Sequence, residues 1–163
     1  MVFSSEGVLS GDDGSELARV QDSTAAHARL TVGTATYEIV RTETLRERFQ
    51  LLDADSRLVY EFHPGLRPGG IVALASDEPV AHLIKPLLGR GWRIVTATGE
   101  QIVVKRSQGL AGPIVSGDGE LVPPALEIAL PAMMAAGGDL PRMLAFSCWM
   151  IAGWESEIRR GPR

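Results

Sequence analysis

A turn-forming cluster recurs along this chain about every twenty-one residues, and that period constrains the fold more than any motif. The clusters are Asp12–Ser15 (DDGS), Val32–Ala35 (VGTA), Asp53–Ser56 (DADS), Ala75–Glu78 (ASDE), Thr96–Gly99 (TATG) and Ser116–Gly119 (SGDG). Their first residues lie 20, 21, 22, 21 and 20 positions apart. Most have β-rich runs of period two on both sides, the pattern of a hairpin. Six such turns predict six hairpins and about twelve strands. A repeat of this kind decides the architecture before any local detail does.

Two units carry the pattern in most detail. In RFQLLDADSRLVYEF, Phe49 and Leu51 alternate with Arg48 and Gln50, while Leu58, Tyr60 and Phe62 form the matching apolar set. A four-residue Asp53–Ser56 loop would set Leu51 opposite Leu58 and Phe49 opposite Tyr60. In GWRIVTATGEQIVVKR the inward set is Trp92, Ile94, Ile102 and Val104. Matching them requires a three-residue loop, Ala97–Gly99, with Gly99 in the left-handed conformation that a glycine adopts readily. The units Leu9–Val20, Ile71–Ile84 and Ile114–Ile128 are weaker. Pro79, Pro113, Pro123 and Pro124 lack the N–H a ladder needs, so edge, bulged or short strands are expected there. His63–Gly70 reads as a loop between hairpins.

After Gly137-Gly138 the texture changes. Asp139 suits an N-cap, Pro141 the first turn, and an apolar run follows with Leu144, Phe146, Cys148, Trp149, Met150, Ile151 and Trp154 on every face. A helix apolar all round is enclosed by membrane or by protein. Met143–Trp154 spans only about 18 Å, short of a bilayer core near 30 Å, so protein must enclose it. A barrel wider than about eight strands leaves a lumen that needs filling. We therefore expect a mainly β fold. It is a closed antiparallel barrel of about twelve strands from six hairpins around a C-terminal apolar helix, residues 139–158, all in one domain over residues 1–163.

These units resemble the tubby C-terminal-like superfamily, which includes tubby proteins, plant LURP-one-related proteins and phospholipid scramblases. The resemblance runs from about Val8 to Ile158. It is carried by RFQLLDADSRLVYEF, GWRIVTATGEQIVVKR and the closing MLAFSCWMIAGW. It is nearest to the short LURP-one-related and bacterial members. The chain departs from the scramblases in having no Pro-rich N-terminal extension and no cysteine cluster. No residue of the phosphoinositide-binding surface of tubby transfers to it. The resemblance implies a binding module that contacts proteins or lipids.

Composition narrows the partner classes. Net charge is −4 and the pI about 5.4, without the Lys/Arg surplus that nucleic acid demands. Apolar residues make up 45%, enough for a core, and no run is long enough for a membrane span. The opening MVFSSEGVLSGDDG has neither basic nor apolar leader regions, so no signal peptide is expected and the expected location is the cytoplasm, with peripheral membrane contact. Cys148 is the lone cysteine, excluding an internal disulfide, and its apolar setting predicts an inert thiol.

No catalytic set is apparent, and no enzyme activity is expected. No phosphate or dinucleotide fingerprint occurs, and no cofactor is expected. His27, His63 and His82 have no partners at metal-ligand spacing, so no metal site is expected. Asp53-Ala54-Asp55-Ser56 begins like a calcium loop but lacks the later Gly and Glu; its aspartates read as turn formers. The remaining signal is a basic patch. Arg93 should lie opposite Val103 and diagonal to Lys105, with Arg90 and Arg106 near the open end of that hairpin and Lys85 just before it. These five residues are the candidate lipid-binding set, each charge worth about 1 kcal/mol at an anionic surface. Arg41, Arg46, Arg48 and Arg57 form a comparable cluster on an earlier hairpin.

The leading expectation is a non-catalytic module that presents strands and loops to a protein partner or to anionic phospholipid. The alternatives are a scramblase-like lipid handler and a small-molecule carrier using the barrel lumen.

Overall fold

A computed structural model describes residues 1–24, 27–43, 47–88, 90–107, 114–115, 121–122, 125–134 and 138–158. The strands are β1 (Val2–Phe3), β2 (Val8–Ser10), β3 (Glu16–Thr24), β4 (His27–Val32), β5 (Ala35–Glu43), β6 (Arg48–Leu52) and β7 (Leu58–Pro64). They continue as β8 (Gly69–Ala73), β9 (Pro79–Ile84), β10 (Trp92–Thr96), β11 (Gln101–Arg106), β12 (Ile114–Val115), β13 (Leu121–Val122) and β14 (Leu126–Ala129). The helix α1 covers Leu140–Ile158. β1 to β11 run up and down in sequence order, and β14 bonds to both β11 and β1 to close the barrel.

The barrel has twelve strands, but not the twelve that counting turns would select. The sixth unit contributes β12 and β13, a separate two-stranded ribbon, and its Ser116–Gly119 turn lies outside the described residues. The places it leaves are filled by β1 and β14. Two residues of β1 suffice because Phe3 packs inward, 2% exposed, between Leu9 and Leu126 in register.

One turn geometry recurs five times. In Ser4–Val8, Gly11–Ser15, Asp53–Arg57, Leu74–Glu78 and Thr96–Glu100, the first N–H donates to the fifth carbonyl and the fourth N–H to the first carbonyl. The fourth residue has positive φ in each: Gly7 at 80°, Gly14 at 80°, Ser56 at 60°, Asp77 at 66° and Gly99 at 90°. This three-residue loop is the one expected at Gly99. There the register is as expected too, with Trp92 opposite Val104, Ile94 opposite Ile102 and Arg93 opposite Val103.

At Asp53 the same loop overturns the expected four-residue register. Leu51 pairs with Tyr60 and Phe49 with Phe62, with a bulge between Leu51 and Leu52. The shift is two residues, so Phe49, Leu51, Tyr60 and Phe62 keep their inward face, while Leu58 pairs with Leu52 beyond the bulge and stays outside the core. Asp53 Oδ1 accepts from the backbone N–H of Asp55 and of Arg57, both at 2.9 Å, which makes it a turn former. Pro79 opens β9 beside a bulge, where its missing N–H interrupts no regular ladder. Pro113, Pro123 and Pro124 lie outside the described residues.

The helix occupies the barrel axis. Leu144, Ala145, Phe146, Ser147, Cys148 and Ile151 are all 0% exposed. Phe146 stacks on Tyr60 of β7, and Trp149 meets Phe49 of β6 edge-on. On other sides Trp154 packs on Trp92 of β10, and the indole Nε1–H of Trp149 donates to Asp22 of β3. Burying a side chain such as Phe146 contributes about 1.5–3 kcal/mol, so the plug and the inward strand faces stabilise each other. The lumen that a carrier would use therefore holds α1.

Candidate functional site

Because the strands alternate in direction, successive turns fall at opposite ends of the barrel. One end carries the turns Gly11–Ser15, Gly33-Thr34, Asp53–Arg57, Leu74–Glu78 and Thr96–Glu100, together with the N-terminus of α1. The other carries the loops after Pro64 and Ile84, the end of β11 and the C-terminus of α1.

At the first end the turns are mostly acidic, with Asp12, Asp13, Asp53, Asp55, Asp77, Glu78 and Glu100 against Arg57. Several are occupied within their turns. Asp13 Oδ1 accepts from the Ser15 N–H and hydroxyl, and these bonds, the hydroxyl one foremost, hold its carboxyl below the usual range. Glu100 accepts from Thr96 and Thr98, with the same effect. Arg142 seals this end of the lumen. Its guanidinium lies 5.1 Å from the ring of Tyr60 and 5.3 Å from that of Tyr37, donates to both hydroxyls and pairs with Asp139 at 3.0 Å. Burial pushes the Tyr60 phenol up, against the opposing pull of Arg142.

At the opposite end, the C-terminal mouth, Glu155, Glu47 and Glu61 are matched by cations. Among the described residues Asp22 accepts only the Trp149 indole, and Glu6 stands exposed on the Ser4–Val8 turn. Glu155 takes Lys85 and the indole Nε1–H of Trp92. Glu47 accepts from Trp154 Nε1 at 2.6 Å and pairs with Arg41 at 3.3 Å. Glu61 faces Arg48 and His63. The cations there without an ion pair among the described residues include Arg67, Arg90, Arg93 and Lys105, all exposed. Leu66 stands fully exposed on the loop after β7, while Leu87 and Leu88, 80% and 92% exposed, tip the neighbouring loop after β9. The outer face of Ile84 between them is 44% exposed.

Beneath the Leu66 loop lies a cavity of about 290 Å³, lined by Glu47, Phe62, Pro64, Gly65, Arg67, Pro68, Gly69, Trp92 and Trp154. Its wall is seated on the barrel by glycine. A Cβ on Gly69 would fall 2.0 Å from the Leu83 carbonyl oxygen, and one on Gly70 2.1 Å from that of His63.

All five residues of the expected basic patch stand at or near this mouth, in differing circumstances. Lys85 is held between Glu155 and the ring of Trp92, 5.3 Å from its centroid. Arg93 is exposed on the outer face of β10, with Nη1 3.5 Å from Gln101. Lys105 is exposed on β11, yet β14 brings Glu127 directly opposite it. Arg106 is half-buried and Arg90 exposed. The rival cluster divides: Arg41 and Arg48 are ion-paired near the mouth, Arg57 stands in a turn at the acidic end, and Arg46 lies outside the described residues.

Sequence reading missed Arg67 and the three exposed leucines. Leu66 was hidden in a loop defined by its prolines and glycines, and Leu87-Leu88 in a segment with no period. Only exposure distinguishes a loop leucine from a core one.

Among the described residues, no group of three His, Cys, Asp or Glu side chains is placed to hold a metal. His63 and His82 each flank Ile71 in the ladder, one strand away on either side. Cys148 is fully buried, and that burial pushes its thiol up to about 12. No described helix is long and apolar enough to cross a membrane. No family model, curated protein or solved structure matches the chain.

Proposed function

We propose that the chain is a non-catalytic module that attaches to anionic membrane surfaces through its C-terminal mouth. One observation carries this reading. Three exposed leucines on adjacent loops share one barrel end with exposed cations that have no ion pair among the described residues. Apolar tips that enter the headgroup region, flanked by Arg and Lys that meet anionic headgroups, are the arrangement an interfacial attachment uses. Exposed apolar side chains grouped in this way also mark contact surfaces generally. The acidic turns at the far end orient the molecule, because an anionic surface repels them and draws the mouth inward. A closed barrel around a central helix also supports the resemblance to the tubby C-terminal-like superfamily, with its lipid- and protein-binding members. The cytoplasmic face of a membrane is the corresponding location.

The test is co-sedimentation with vesicles of phosphatidylcholine containing phosphatidylserine, against phosphatidylcholine alone. The protein should bind the first at low salt and release as salt rises, since exposed charges are screened within about 8–10 Å at physiological ionic strength. Replacing Leu87 and Leu88 together by Asp should weaken binding at least about tenfold, given about 1.5–3 kcal/mol for each leucine fully buried. Met133→Asp, at an exposed residue of the opposite end, should leave it unchanged. If the anionic vesicles capture nothing at low salt, the lipid reading fails and a protein partner takes its place.

A further inference from the structure

We propose that the cavity beneath the Leu66 loop binds a single-chain anionic amphiphile, its hydrocarbon tail among Phe62, Trp92 and Trp154 and its head on Arg67. The proposal deepens the reading of the same mouth as a lipid-facing surface. It is tested without vesicles, so that the two can fail separately.

The walls decide the tail. Phe62, Trp154 and Trp92 form a continuous aromatic surface, with ring centroids 5.3 Å apart for the first pair and 5.2 Å for the second. Pro64, Pro68 and the glycine backbone complete it. Both indole N–H groups turn away from the role of ligand donors, one to Glu155 and one to Glu47. Ordered water needs several polar partners, and this lining offers few. A hydrocarbon chain gives up no hydrogen bond by entering.

The charges decide the head. Glu47 is the only acid among the described lining residues, and it is matched by Arg41 and the Trp154 N–H. A cationic ligand would compete with Lys85, which already stands over the Trp92 ring beside Glu155. Arg67 is the lining charge without an ion pair among the described residues, and a guanidinium presents a fork that fits carboxylate or phosphate oxygens. The volume decides the number of chains. About 290 Å³ lies at the small end of ligand cavities, which typically start near 300 Å³, so it suits one chain rather than two. The site is also preformed: the Gly65 N–H donates to the Gly69 carbonyl at 3.0 Å, and the close glycine contacts fix the loop on the rim. Little ordering cost then falls on the loop.

The probes are decanoate and decyl phosphate carrying bromine on the chain, added below their micelle-forming concentrations, with tryptophan fluorescence as the readout. Bromine quenches the indoles it touches. Saturable quenching by either probe is expected, and the tighter one names the head. It should persist in Trp149→Phe, because Trp149 lies outside the cavity lining. Arg67→Glu should weaken binding by about fivefold, the scale of an exposed ion pair, and brominated decanol should bind the native protein more weakly by a similar factor. Absence of saturable quenching by both anionic probes would overturn the proposal. So would loss of the quenching in Trp149→Phe, or equal affinity for decanol together with an unaltered Arg67→Glu.

Discussion

The two ends of the barrel are built from the same strands and differ in what their charges are used for. At the acidic end, side chains such as Asp53, Asp13 and Glu100 are consumed by the backbone and hydroxyls of their own turns. Those turns are short and alike. At the mouth the loops after Pro64 and Ile84 are longer and unlike one another, and acids such as Glu47 and Glu155 pair with cations and indoles. Arg67, Arg90, Arg93 and Lys105 have no ion pair among the described residues. The difference separates a structural end from a recognition end. Tight turns leave little side-chain freedom for a ligand, whereas irregular loops on a rigid scaffold are where binding residues usually sit.

Both ends depend on the plug that joins them, and breaking it should have the largest effect. Phe146→Glu places an unpaired carboxylate where the residue is 0% exposed, at a cost of several kcal/mol. Loss of the cooperative thermal transition, or of soluble protein, is the expected outcome by circular dichroism. Trp149→Glu should be milder, because that indole is only half-buried and already reaches exposed Asp22.

Alkaline pH attacks the same plug more gently. The Cys148 thiol is raised from 9.0 to about 12 in the folded state, so the unfolded chain loses its proton first. Stability from this group is complete below pH 9 and falls as pH rises toward 12, at about 1.4 kcal/mol per pH unit. Denaturant midpoints should decline between pH 9 and 11, and less steeply in Cys148→Ala. The raised Tyr60 phenol adds to the loss in the same direction, at higher pH than its ordinary value of 10.0.

Charge changes sharpen the contrast between ends. Arg90→Glu with Lys105→Glu should lower the affinity for anionic vesicles at low salt, each replaced cation removing about 1 kcal/mol of attraction. Asp55→Asn with Asp77→Asn, at the far end, should not weaken it. A gain from the far-end pair that equals, charge for charge, the loss from the mouth pair would mean that net charge, not the mouth, governs attachment.

The smallest effect belongs to the turns. Ser56 holds φ at 60°, where glycine has no Cβ to strain, so Ser56→Gly should raise stability by up to about 1 kcal/mol in a denaturant titration. Vesicle binding should be untouched.

The hairpin at Thr96–Glu100 was legible in full from the sequence, because Gly99 stands where the alternation of Trp92, Ile94, Ile102 and Val104 requires a left-handed residue. The Asp53 hairpin was legible only in its faces. Ser56 takes the left-handed role without glycine's signature, and a two-residue slip preserves alternation, so periodicity could not detect it. The sixth turn looked like the other five, yet its strands pair only with each other. The closing places went to β1, too short to carry a period, and to β14.

What the sequence determined by itself was therefore local: strand faces, the existence of the repeated turns, and an apolar helix too short for a bilayer and without a polar face to show to water. Those properties are written in neighbours along the chain. The identity of the closing strands, the ends at which charges gather, Glu127 beside Lys105, and Arg67 and Leu66 beside Leu87, Leu88 and a cavity were decided only in the tertiary structure. Each joins residues many positions apart, and the up-and-down course of the strands, not any spacing in sequence, sets which of them meet.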